Sequence, residues 1–178
     1  PPDAMYIFKH ALVQETAYAS LARSRRRQLH GRIAQTLEER FPELVASEPE
    51  VIAFHLTQAE LARPAIGYLR RAADNYLGRS AYVEAVAHLA QATSLLRTMP
   101  QTPETLEIEL DICLKMGPPL FAMKGARSAE AEVAYLRAQD LVKLLNKKSL
   151  YFVVHWGLWY VNYSRGRYGE AFEIGERL

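Results

Sequence analysis

The chain has a single cysteine, Cys113, among its 178 residues, so no internal disulfide can form and the thiol cannot build a metal site alone. A reducing, cytoplasmic setting is the expectation. Within ELDICLKM this cysteine has the spacing of a helix core position, where a thiol behaves as a small hydrophobe. Long apolar runs are also missing. Nothing approaches the roughly 18 to 20 residues that span a bilayer, and the longest stretch, LYFVVHWGLWYV, is interrupted by His155. The first residues lack the charged-then-apolar pattern of a secretion signal, so no membrane partner is expected. Charge of one sign is scarce, because 22 basic against 20 acidic residues leave only +2. Net electrostatics therefore favour neither nucleic acid nor a membrane surface, and any such argument needs a local cluster.

Catalytic constellations are absent from the sequence as well. It has no phosphate-cradling glycine loop, HExxH, CxxC or GxSxG. The five histidines, at 10, 30, 55, 88 and 155, include no pair at the i, i+4 spacing that suits a helical metal site. The expectation is a non-enzymatic chain with no catalytic residue, no metal ligand and no cofactor. His55 and His88 read as partly exposed helix residues. The chain opens on Pro1-Pro2-Asp3 and stops at Leu178 inside a helical pattern, so it is expected to be a piece of a longer protein.

What the sequence does contain is helical periodicity. With 49% hydrophobic residues and only 9 Gly and 9 Pro, it can bury a core and is not disordered. MYIFKH alternates weakly and could be one short strand; after it, Leu12, Ala17 and Leu21 fall at helical spacing. Ser24 is the expected cap of SRRRQLHGRIAQTLEERF, with an apolar stripe of Leu29, Ile33, Leu37 and Phe41 and an end at Pro42. Further helices are expected over 48–61, 64–79 and 82–99, then from a cap at Thr102 to a breaker at Gly117-Pro118-Pro119, and then over about 128–145, 150–164 and 168 onward. The fold class is therefore all-α, built of antiparallel helix pairs.

Spacing within these helices points to a stack. Leu69, Ala72, Ala73 and Tyr76 precede a tight turn at Ser80, and Tyr82, Ala85, Leu89 and Ala92 follow it. Small residues let paired helices approach, and larger ones fill the space between pairs. Leu158 and Trp159, the turn at Gly166, then Tyr168 and Ala171 repeat the device, with a weaker copy at Ala131, Tyr135 and Ala138. This arrangement resembles the tetratricopeptide pattern in degenerate form, since Ala85, Ala131 and Ala171 stand 46 and 40 residues apart.

Arg23, Arg25, Arg26 and Arg27 form the one dense basic cluster. Three of them fall in the first turn after Ser24, where cations oppose the helix dipole. A compensating anion is expected from a neighbouring domain, a phosphate or nucleic acid, or the cluster is a solvated face with Glu15 nearby. His10, where the strand-like segment passes into a helix, reads as capping or packing, with contact to a neighbouring ligand or domain as the alternative. The aromatic run of Tyr151, Phe152, Trp156, Trp159, Tyr160, Tyr163 and Tyr168 lacks basic residues interleaved along its whole length and reads mainly as core between repeats. Rings left uncovered at the C-terminal end would make that end sticky and open to self-association.

Two stretches taken together, FKHALVQETAYASLARSRRRQLHGRIAQTLEERFPEL and AIGYLRRAADNYLGRSAYVEAVAHLAQA, resemble a region of bacterial multidomain signal-transduction ATPases of the STAND/AAA type. That region follows the nucleotide-binding module, and these proteins are often fused to class III adenylate/guanylate cyclase or helix-turn-helix regulator domains. The pattern falls on Phe8, His10 and Leu12, then Tyr18, Arg26 and His30, then Ile33, Ala34, Leu37 and Glu38. The resemblance implies a winged-helix-like remnant with connecting helices over 1–46, and degenerate tetratricopeptide-like repeats forming a right-handed superhelix over 47–178. It implies a regulatory module whose partners are a protein, a peptide or neighbouring domains of the same chain, with nucleic acid bound through Arg23–Arg27 as the alternative. It also places His10 as a candidate sensor of nucleotide phosphate.

Overall fold

The structure, a computed structural model, describes residues 11–178, so His10 and the strand expected at Met5–His10 lie outside the described residues. Among the described residues every element is helical: α1 (Ala11–Ser20), α2 (Arg23–Arg40), α3 (Pro42–Ser47), α4 (Pro49–Gln58), α5 (Ala62–Gly78), α6 (Tyr82–Leu96), α7 (Pro103–Lys124), α8 (Ala129–Leu144), α9 (Tyr151–Ser164) and α10 (Tyr168–Gly175), with one 3-10 turn at Lys148–Leu150. No strand occurs among them, and no helix among them is long and apolar enough to cross a membrane. The described part of the region expected to be winged-helix-like is thus three helices.

From α4 to α10 each helix packs on the next in chain order, while α2 lies against both α3 and α4. The apolar spacing dictates the pairing. α5 buries Ala65, Ile66, Leu69, Ala72 and Ala73, and α6 buries Ala85, Leu89, Ala92 and Leu96, each on one face of a 3.6-residue helix. Fully buried alanines at 72, 73, 85 and 92 bring the two backbones together. Ile112 of α7 joins this core, whereas Leu110 and Cys113 of the same helix belong to a second one with Tyr135, Leu141, Val154 and Leu158. A third cluster, Ala34, Val45, Ile52, Leu56 and Ala65, attaches α2 and α3.

Four of the links share one geometry. Glu60, Ser80, Asn146 and Gly166 have φ between 52° and 75°, each just past a helix end. In each the following N–H reaches five residues back, as from Ala81 to the Tyr76 carbonyl (2.9 Å) and from Arg167 to the Asn162 carbonyl (2.9 Å). These are Schellman ends, which satisfy the last carbonyls and turn the chain sharply into the next helix.

Several expectations need correction. α2 starts at Arg23 after Ala22, so Ser24 does not cap it. Its buried residues are His30 and Ala34, while Ile33 and Phe41 of the expected stripe are exposed. α7 runs straight through Gly117-Pro118-Pro119 to Lys124. The prolines cannot donate to the preceding turn, but Gly117, Pro119 and Leu120 are buried there, and that packing holds the helix together. The phenol of Tyr135 on α8 explains the glycine. A Cβ at Gly117 would lie 2.4 Å from that ring, and one at Gly157 of α9 would lie 2.3 Å from it. One tyrosine is therefore wedged between two glycines on the flanking helices.

Candidate interaction surfaces

The arginine cluster occupies the first turn of α2, which has no side-chain cap and no acidic residue of its own. Its anion comes from the Schellman turn after α4. The Glu60 carboxylate accepts from Arg23 Nε (3.1 Å) and Nη2 (2.6 Å) through one oxygen and from Arg27 Nη1 (3.0 Å) through the other. Glu60, and not Glu15, is the partner, and the pairing is invisible locally because it spans 37 residues. Arg26 stacks over the Tyr18 ring at 5.2 Å, and Arg25 has no partner among the described residues. Tyr18, Arg23, Arg26 and Thr57 are among the residues lining a hollow of about 240 Å³ here. These ion pairs are exposed, so each contributes at most about 1 kcal/mol.

Beneath this cluster lies a contact that sequence spacing missed. His30 Nδ1 and His55 Nδ1 are 2.8 Å apart across the α2–α4 interface, and His30 Nε2 is 2.9 Å from the Tyr18 hydroxyl. His30 is buried, and the Phe54 ring meets it edge-on at 5.7 Å. Burial pushes the His30 pKa down; burial and then the neighbouring His30 push His55 down. The signal was the i, i+25 separation, which no helical template tests. His155, by contrast, is a satisfied core residue, 2.8 Å from the Tyr151 carbonyl through Nδ1 and 3.2 Å from Gln139 through Nε2. His88 stacks on Tyr76 at 5.3 Å, with its Nδ1 buried and without a partner.

Along the stack, α5 and α7 face each other through side chains 41 residues apart. Arg63 pairs with Glu104, Arg70 donates to Asp111 (2.6 Å), and Lys115 reaches Asp74 (2.7 Å) and Asp111 (3.4 Å). This ladder neutralises the charge of that face. Glu132 of α8 plays the same part for Arg165 and Arg167 beyond α9, and its carboxylate raises the Arg167 pKa.

The α9 surface differs, since Tyr151–Ser164 contains no Asp, Glu, Lys or Arg. Val154, His155, Gly157, Leu158, Val161 and Asn162 are buried, so the rings project from the opposite side. Phe152, Trp156 and Tyr163 are 59%, 44% and 54% exposed, and Tyr168, expected in the packing, is 64% exposed. Trp156 stacks on Tyr160 (5.5 Å) and Trp159 on Tyr163 (5.4 Å). The run expected as core is thus largely an aromatic ridge. Only Tyr151, Trp159 and Tyr160 are half-buried; Tyr160 lies against Phe121 of α7, and Trp159 against Gly175 of α10.

Of the other residues expected to pack the repeats, Leu69, Ala73, Ala85, Leu89, Ala92, Leu158 and Ala171 are buried, and Tyr76 and Tyr82 are half-buried. Tyr76 donates to Glu50 (2.9 Å), a bond that raises its pKa. A groove of about 600 Å³ lies between α6 and α8, walled by Thr93, Arg97, Val133 and Arg137, with Met116 and Cys113 in its floor. Burial pushes the Cys113 thiol up to about 12, so it is present as the thiol. Among the described residues no three or more of His, Cys, Asp and Glu gather in a way that could hold a metal ion.

No family model matches the chain, and no solved structure matches it significantly. It is similar to an uncharacterized protein of Rhizobium meliloti (strain 1021), with 26% identity over 181 residues covering 100% of this chain. The chain spans 18% of the length of that relative.

Proposed function

We propose that this chain is a non-catalytic docking module of a larger bacterial signalling ATPase linked to nucleotide-cyclase output, acting in the cytoplasm without a cofactor of its own. The observation that carries the docking role is the charge-free aromatic ridge of α9. Exposed aromatic rings without charge supply contact area at low entropic cost, as protein interfaces require. A neighbouring domain of the same polypeptide, or a protein segment reaching it, is the partner this surface suits. The ATPase and cyclase context rests on the resemblance of Phe8 through Glu38 described above.

Nucleic acid is the alternative partner. Glu60 already engages Arg23 and Arg27, which leaves Arg25 and Arg26 as the basic groups free for phosphate. The test is a titration of the chain with the separately expressed flanking domains of its own polypeptide and, in parallel, with duplex DNA, at 50 and 200 mM salt. Domain binding should blue-shift the Trp156 fluorescence, change little with salt, and weaken at least tenfold in Trp156→Asp. Binding to DNA alone, falling steeply with salt and lost on neutralising Arg25 and Arg26, would replace the docking reading.

A further inference from the structure

The Tyr18–His30–His55 chain joins three helices through two hydrogen bonds, and its proton count is restricted by geometry alone. Two imidazole nitrogens facing each other at 2.8 Å need one proton between them, so one Nδ1 donates and the other accepts. Two neutral arrangements satisfy the chain. Either the Tyr18 hydroxyl donates to His30 Nε2 and His30 Nδ1–H donates to His55, or His55 Nδ1–H donates to His30 and His30 Nε2–H donates to Tyr18. A first added proton is tolerated: His30 can carry both protons, donating to the tyrosine oxygen and to His55. A second would set N–H against N–H at hydrogen-bond distance, with two like charges in contact.

Among the described residues the surroundings offer the second proton no help. α2 contributes Arg26, over the Tyr18 ring, and Arg27 and Arg23, both held by Glu60 of the α4–α5 turn. α1 contributes the Tyr18 hydroxyl, and α4 contributes Phe54 beside His55 itself. Among the described residues α3 and α5 put no charged or hydrogen-bonding partner on either ring. His30 is 6% exposed, so water does not reach it freely.

We infer that the His30–His55 pair is a proton-operated latch that holds α1 and α2 against α4 while at most one ring is protonated and releases them when both are. The released rings titrate as ordinary histidines near about 6.5. Well below that pH the released form binds two protons and the latched form at most one, so the opening constant rises about tenfold or more per pH unit. The latch is independent of which partner the α9 ridge takes.

Ring nitrogen shifts and amide hydrogen exchange on the whole chain test this. At pH 7.5 one ring of the pair should be an Nδ1–H tautomer. Between pH 6 and pH 5, opening of α2 should grow about tenfold or more relative to the α5 and α6 amides of the same sample. In His55→Gln the amide can donate to or accept from His30 in either charge state, so that pH dependence should weaken to what the burial of His30 alone imposes, while α2 stays protected. Two outcomes would overturn the latch: both rings titrating independently near pH 6.5 in the unaltered chain, a reading that needs no variant to fold, or α2 opening in step with α5 and α6 throughout.

Discussion

Tyr135 shows how much one side chain can demand of its neighbours. Its ring fills the space that a Cβ on Gly117 or on Gly157 would need, at 2.4 and 2.3 Å. Burial also raises the phenol pKa, so the ring stays neutral in the core. Gly157→Ala should therefore destabilise the chain by about 1–3 kcal/mol through overpacking, read as a lower urea midpoint. In a Tyr135→Leu background the same substitution should cost clearly less, because the residues it couples are in contact. Equal costs in both backgrounds would mean that the ring is not wedged as described. Cys113 gives a second expectation at this scale. Its buried thiol, with a pKa of about 12, should not react with a disulfide reagent at pH 8 until urea is added.

Among the helices, the ends decide the architecture. The cap of α7 was legible, because Thr102 accepts from the Thr105 amide while Thr105 Oγ1 accepts from the Thr102 amide, and a Thr-x-x-Thr signature is local. Ser128, at the start of the expected 128–145 helix, likewise caps α8. Thr102→Ala should cost about 1 kcal/mol in a denaturation experiment. The turn at Ser80 was legible as well, whereas its twin at Glu60 was not, since glutamate is a poor left-handed residue. Glu60 is held there by Arg23 and Arg27, partners fixed only by the tertiary fold. The two sites should thus respond differently to glycine. Ser80→Gly should stabilise by up to about 1 kcal/mol by relieving strain, and Glu60→Gly should gain less, because it removes the shared carboxylate. The α2 stripe misled for a related reason: the apolar side of that helix is not the side with small residues, and close approach to α4 selected His30 and Ala34.

At the scale of the whole chain, stability should follow the order of stacking, because each helix from α4 onward packs mainly on its chain neighbours. α7, like α4 and α5, bridges two cores, since it contributes Ile112 to one and Leu110 and Cys113 to the next. The charged ladder at 41-residue spacing also runs from α5 to α7. Opening α7 therefore severs two cores at once, whereas opening α10 exposes little beyond Ala171. Native-state hydrogen exchange should accordingly show the slowest amides in α5 through α8 and the fastest in α10. Ile112→Ala, at a site 1% exposed, should cost about 2–5 kcal/mol. It should also separate the unfolding of the α4–α6 core from that of the α8–α9 core, turning one transition into two when followed by probes in each half. A single coincident transition in that variant would show that the halves are coupled by more than α7, and the ion-pair ladder would be the next contact to remove.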